Sequence, residues 1–139
     1  KIVELLYKTY RLDEQEYGWI DLVLIIIEGM NRDMGSTYKL LNEMIVPNFQ
    51  SNRVLVAINQ ADVAMKGRHW RKKESRPEIE LEDFLKRQSS SIQRRVKEAT
   101  GVEIVRPIYY SAEYGYNVNA LMDLIIDNMP IERRKLMIK

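Results

Sequence analysis

The stretch RVLVAINQAD, residues 53 to 62, decides how the rest of the chain is read. Residues 53 to 58, RVLVAI, are apolar and β-branched and read as a strand. The run stops abruptly in Asn59-Gln60-Ala61-Asp62. Asn and Asp are poor strand formers, so they can simply close the strand. They also leave an amide and a carboxylate at its carboxyl end, in place to meet a ligand.

Working outward, residues 20 to 28, IDLVLIIIE, form a short Ile-rich run of the type buried on both faces in parallel sheets. Residues 102 to 110, VEIVRPIYY, form a further strand, and Pro107 inside it predicts an edge position. Helical spacing separates these runs. Residues 2 to 12 place Ile2, Leu5, Leu6 and Tyr10 on one face, before a turn at Gly18. Residues 36 to 46 give a helix capped by Ser36 or Thr37, with Leu40, Leu41, Met44 and Ile45 inward. Residues 79 to 99 align Leu81, Leu85, Ile92, Val96 and Ala99, with Phe84 adjoining, and Thr100-Gly101 ends that helix. Residues 118 to 129 follow an Asn117 cap and stop before Pro130. Gly29 to Gly35 and residues 64 to 78 are polar loops, and residues 130 to 139 form a basic tail.

Strands alternating with helices predict an α/β domain with about three parallel strands, four helices and helices on both sheet faces, an αβα sandwich. The length, 139 residues, suits one domain. A charged fraction of 30% beside 45% hydrophobic residues excludes wholesale disorder. The net charge of +2 is too small to argue for nucleic acid by itself. Without Cys there is neither a disulfide framework nor a thiolate metal site, and a single His excludes a His-rich centre. No metal-binding residue is assigned. No apolar run is long enough to span a bilayer and no signal-peptide pattern opens the chain, so a cytoplasmic location is expected. The first residue is Lys1 rather than Met, as expected of a chain that has lost an N-terminal portion.

In open parallel sheets ligands sit beyond the carboxyl ends of the strands. After the strand at 53 to 58 comes Asn59-Gln60-Ala61-Asp62, and after the next strand comes Ser111-Ala112-Glu113. This pair, in this order, resembles the N-[KQ]-x-D and S-A-x guanine-recognition elements of P-loop GTPases. Over residues 20 to 129 the chain is similar to Era-like GTPases of the translation-factor-related class, including the Gly115 and Asn117 that lead into the last helix. The resemblance implies a P-loop NTPase G-domain fold and GTP or GDP as ligand. It implies that Asp62 reads the base, that Asn59 ties the motif loop to its neighbours, and that Ser111 and the Ala112 N–H complete the pocket. Guanine's N1–H and exocyclic amine form a fork that one carboxylate accepts, whereas adenine faces it with a lone pair. Gln60 stands where Lys is commoner, which removes a charge and predicts weaker affinity.

A GTPase also needs G-x-x-x-x-G-K-[ST] to cradle phosphate and hold Mg²⁺. None of the glycines at 18, 29, 35, 67, 101 and 115 is followed by Lys-Ser or Lys-Thr, and the D-x-x-G element is absent. The expectation is therefore a partial G domain, residues 1 to 139, without phosphate loop or switch region. No catalytic residue is assigned, the chain alone is expected to be inactive, and Mg²⁺ enters only through the missing N-terminal half. The strand at 20 to 28 then lacks a neighbour and presents an Ile-rich edge, which predicts homodimerisation.

A reading from another class is a nucleotide-independent module. The run Lys66 to Lys73, KGRHWRKK, would contact RNA, the ribosome or another protein, with Trp70 stacking on a base. Its structural counterpart is a solvated loop with Trp70 closing over the core. His69 has no evident partner carboxylate or second His, so no ligand or acid–base role is expected. Arg94, Arg95 and Lys97 read as an outer helix face. Met44, Met65, Met122 and Met129 read as core filler. Glu28 and Asp33 stand at the carboxyl end of the sheet without an assigned role.

Overall fold

Strand β4, Val54–Asn59, runs through the middle of a three-stranded parallel sheet, and its first five residues are buried. The computed structural model describes residues 8–29 and 34–132. On one side of β4 lies β3, Val23–Glu28, in a register that pairs Val23 with Val54 and Glu28 with Asn59. On the other lies β7, Ile108–Tyr109, pairing Ala57 with Ile108 and Ile58 with Tyr109. The fold is mixed α/β, as expected.

Side-chain alternation along β4 divides the core in two. Val54, Val56 and Ile58 pack with Leu41, Ile45, Val46, Phe49, Ile92, Val96 and Ile104 on one face. Ala57 packs with Tyr110, Leu121, Leu24 and Ile125 on the other. The first face is covered by α1, Gly35–Lys39, with its continuation, and by α2, Ile79–Thr100. The second is covered by α3, Val118–Asp127.

Helix α1 starts at Gly35 with Met34 in the cap position and no side-chain cap. Ser36 and Thr37 therefore lie inside it instead of capping it. The helix widens into a π turn over Leu40–Ile45, then tightens into a 3₁₀ turn over Val46–Asn48. Pro47 brings no N–H to this junction. Asn48 Nδ2 takes the Met44 carbonyl at 2.6 Å, and Leu41 and Ile45 are buried with Leu40 and Met44 packed beside them.

Helix α2 buries Leu81, Leu85, Ser89, Ile92 and Val96 and ends at Gly101, whose φ of 76° suits glycine. Ala99 is exposed, contrary to expectation. Twenty-two helical residues run about 33 Å, against about 20 Å for a six-residue strand, so the helix is longer than the strands it covers. Arg94, Arg95 and Lys97 do lie on its outer face.

The third strand is shorter than expected. Of residues 102 to 110 only Ile108–Tyr109 enter the ladder. Two of the preceding carbonyls are taken by α2 instead: Ser89 Oγ donates to the Pro107 carbonyl, and Gln93 Nε2 to that of Ile104 at 2.9 Å. Pro107 supplies no N–H for pairing. Strand β7 has β4 as its one neighbour among the described residues, the edge position expected of a strand containing Pro107.

The expected helix at 2 to 12 is overturned where it is described; residues 2 to 7 lie outside the described residues. Strand β1, Thr9–Leu12, pairs antiparallel with β2, Gln15–Gly18, around Asp13 and Glu14, both at positive φ. Tyr10 stacks on Tyr17 across the ribbon at 5.6 Å and Trp19 Nε1 reaches the Thr9 carbonyl. These cross-strand contacts override the weak helical spacing.

Strand β3 is not buried on both faces. Ile27 is buried, but Ile26 is 54% exposed, because β3 is an edge among the described residues and α3 lies towards β7. Met122 and Met129 are also exposed and do not fill the core. Arg53, in a 3₁₀ turn just before β4, is buried and donates to the carbonyls of Asp21 and Glu132 at 3.0 and 2.8 Å. Asp33 and residues 133–139 of the basic tail lie outside the described residues. Among the described residues no helix is long and apolar enough to cross a membrane.

Ser89→Ala is expected to lower stability by about 1–3 kcal/mol in urea unfolding, because the buried Pro107 carbonyl loses its donor.

Candidate functional site

The residues singled out from the sequence converge beyond the carboxyl ends of β4 and β7. Strand β4 ends at Asn59, and Gln60 then adopts a left-handed conformation with φ of 62°. That reverses the chain into a 3₁₀ turn, Ala61–Val63. The Ala61 N–H donates to the Tyr110 carbonyl at 3.0 Å, which extends the β4–β7 ladder into the turn.

The second loop begins at Ser111. Ser111 and Tyr116 exchange backbone hydrogen bonds of 2.9 and 3.0 Å, closing a loop with Gly115 at φ 66°. Asn117 occupies the cap position of α3 but does not cap it with its side chain. Its Nδ2 donates to the Tyr109 carbonyl at 2.7 Å, so it ties the loop back to β7.

Two side-chain bonds join the loops. Ser111 Oγ donates to Asp62 Oδ1 at 2.8 Å, across 49 residues of sequence. Asn59 Oδ1 accepts the Ala112 N–H at 3.1 Å, across 53 residues. The Ser111 hydroxyl also accepts from the Tyr114 N–H at 3.3 Å, so its position is set from both sides. Asp62 is 8% exposed. A carboxylate offers about four acceptor sites, so the Ser111 bond leaves Oδ2 and part of Oδ1 available. Asn59 ties the two loops together, as expected. The Ala112 N–H, expected to complete the pocket, donates to the Asn59 side chain.

A third element closes on the motif. Gly29, just after β3, donates its N–H to the Asn59 carbonyl at 2.8 Å. A Cβ there would lie 2.9 Å from the carbonyl oxygens of both Asn59 and Gln60. Glycine is thus required by close backbone approach, at a position expected only to open a polar loop.

The basic run is differently built from the expected nucleic-acid contact. Trp70 is 9% exposed, packed with Leu81 and Leu85 and against the rings of Tyr114 and Tyr116 at 5.2 and 5.5 Å. It cannot stack on a base without leaving that cluster. Met65 packs in the same cluster. Nor does His69 lack partners: its Nδ1 lies 3.0 Å from Glu80 Oε2 and 3.4 Å from Glu78 Oε1. Glu78 is nine residues away in sequence and becomes a neighbour through a short ribbon, β5 (Trp70–Arg71) with β6 (Arg76–Pro77). Burial, with the charges of Tyr109 and Glu82 adding to it, pushes the Tyr116 phenol up to about 12.

No family model, curated protein or solved structure matches the chain.

Gly29→Ala is expected to cost about 1–3 kcal/mol, the usual range for overpacking, and to displace the Asn59–Asp62 turn, read as new amide shifts at those residues. Alkaline pH is a separate probe. Tyr116 is neutral in the fold well above the ordinary phenol value of about 10, so its contribution is complete below pH 10 and lost as pH rises towards 12. Tyr116→Phe is expected to move alkaline unfolding to higher pH, followed by circular dichroism.

Proposed function

We propose that the chain carries the guanine-reading half of a nucleotide-binding switch domain, the C-terminal portion of a P-loop G-domain fold. The observation that carries this reading is the Asp62–Ser111 hydrogen bond of 2.8 Å between two loops at the ends of adjacent parallel strands. A buried carboxylate oriented by a hydroxyl is the group needed to accept guanine's N1–H and exocyclic amine together. Leaving those donors, or the carboxylate, unpaired with the wrong base is costly in a site shielded from water. Asn59 holds the Ala112 backbone next to the carboxylate, where its N–H is shared or released to the base oxygen. Gln60 supplies an apolar stem and an amide in place of a cation.

Phosphate recognition, Mg²⁺ binding and GTP hydrolysis belong to a phosphate loop and switch that this chain does not contain. The chain by itself therefore binds the nucleoside weakly and catalyses nothing. The exposed Ile26 on the β3 edge supports self-association through that edge.

Saturation-transfer NMR with guanosine, adenosine and xanthosine at high concentration tests the base assignment. Guanosine is expected to give the strongest signal, and Asp62→Asn to shift the preference to xanthosine, because an amide can donate to the xanthine O2. An unchanged guanosine preference in Asp62→Asn would show that Asp62 does not read the base.

A further inference from the structure

The single histidine sits where the fold brings two carboxylates onto one ring nitrogen. His69 Nδ1, Glu78 Oε1 and Glu80 Oε2 all lie within 4.8 Å of one another. Nδ1 carries at most one hydrogen, so the two carboxylate oxygens at 3.0 and 3.4 Å compete for a single proton. A small divalent cation satisfies all three donors at once. Ligand atoms about 2.1 Å from a zinc-sized ion stand roughly 3.0–3.4 Å apart at octahedral or tetrahedral angles. The two separations from Nδ1 match the ends of that range.

The three donors are held by backbone structure. Trp70 pairs with Pro77 and Arg71 with Arg76 across the ribbon. The Glu78 N–H donates to the His69 carbonyl at 2.7 Å, which extends the ribbon and sets these two residues opposite each other. Glu80 follows in the first turn of α2. The buried Trp70 anchors the ribbon to the core. Residues placed in this way keep the three side-chain donors within 4.8 Å of one another.

The surrounding charge is mixed: Arg71 and Arg76 line the same depression as Glu78, Glu80 and Glu82. Arg71 Nε lies 3.8 Å from Glu78 Oε2, whereas His69 Nδ1 lies 3.4 Å from Oε1, so the two partners meet different oxygens of that carboxylate. The partial positive charge of the α2 N-terminus opposes a cation, but two carboxylates balance a divalent ion and are themselves suited to a helix start. Imidazole as a ligand favours zinc-class ions over Mg²⁺ or Ca²⁺.

We infer that His69, Glu78 and Glu80 form a site for a divalent transition-metal ion of the zinc class, with water completing its shell, that clamps the ribbon to the start of α2. The site stands independently of the guanine reading.

Calorimetric titration of ZnCl₂ into the full chain in chelator-free buffer tests it, with thermal unfolding as a second readout. Saturable one-to-one binding is expected, with a rise in Tm and weaker binding in acid, where imidazolium has no lone pair to give. His69→Ala and Glu80→Gln are each expected to weaken binding tenfold or more and to abolish the rise in Tm. Glu80 is exposed, so Glu80→Gln decides the matter if His69→Ala fails to fold. Absence of saturable binding, binding unchanged in Glu80→Gln, or Mg²⁺ binding as tight as zinc would overturn the assignment.

Discussion

Burial of β4 on both faces and its pairing on both edges is the constraint on which the rest of this structure depends. Val54 to Ile58 are closed to solvent, so their backbone groups must be satisfied within the sheet. The β3 ladder runs the length of β4 and the shorter β7 ladder joins at Ala57 and Ile58, which brings Glu28 level with Asn59 and Tyr109 level with Ile58. The loops after β4 and β7 therefore emerge side by side, with Gly29 at the end of β3 next to them. Residues about fifty positions apart in sequence become hydrogen-bond partners because their strands are adjacent.

Beyond the strand ends, small local devices turn the shared edge into a site. A left-handed Gln60 reverses the first loop, and the Ser111–Tyr116 exchange closes the second. Gly29 lets the backbone just after β3 press against the motif backbone. The Ser111 hydroxyl both accepts from the Tyr114 N–H and donates to Asp62. The aromatic cluster of Trp70, Tyr114 and Tyr116 joins the basic ribbon to the loop that carries Ser111.

The central features were legible because they rest on strong, local signals. The apolar runs placed β3 and β4, and the long amphipathic spacing placed α2 and α3. Elsewhere a competing contact won. Thr9 to Leu12 formed a hairpin strand because Tyr10 met Tyr17 and Asp13-Glu14 accepted positive φ, neither of which helical spacing reveals. Residues 102 to 107 left the sheet because Ser89 and Gln93, polar residues of a helix, took two of their carbonyls. Ser89 is fully buried, yet nothing in the local sequence marks a helical serine as core. His69 seemed isolated because its carboxylates lie across a ribbon turn.

By itself the sequence determined the alternation of strands and helices beyond residue 20 and the chemical types at the ends of two strands, because periodicity and composition mark apolar elements and the polar residues that close them. Only the tertiary structure decided which of those types meet. The Asp62–Ser111 and Asn59–Ala112 bonds, the close approach of Gly29 and the His69–Glu78–Glu80 cluster all depend on strand adjacency, register and turn geometry. Those are properties of pairing between distant segments, and no local window of sequence contains them.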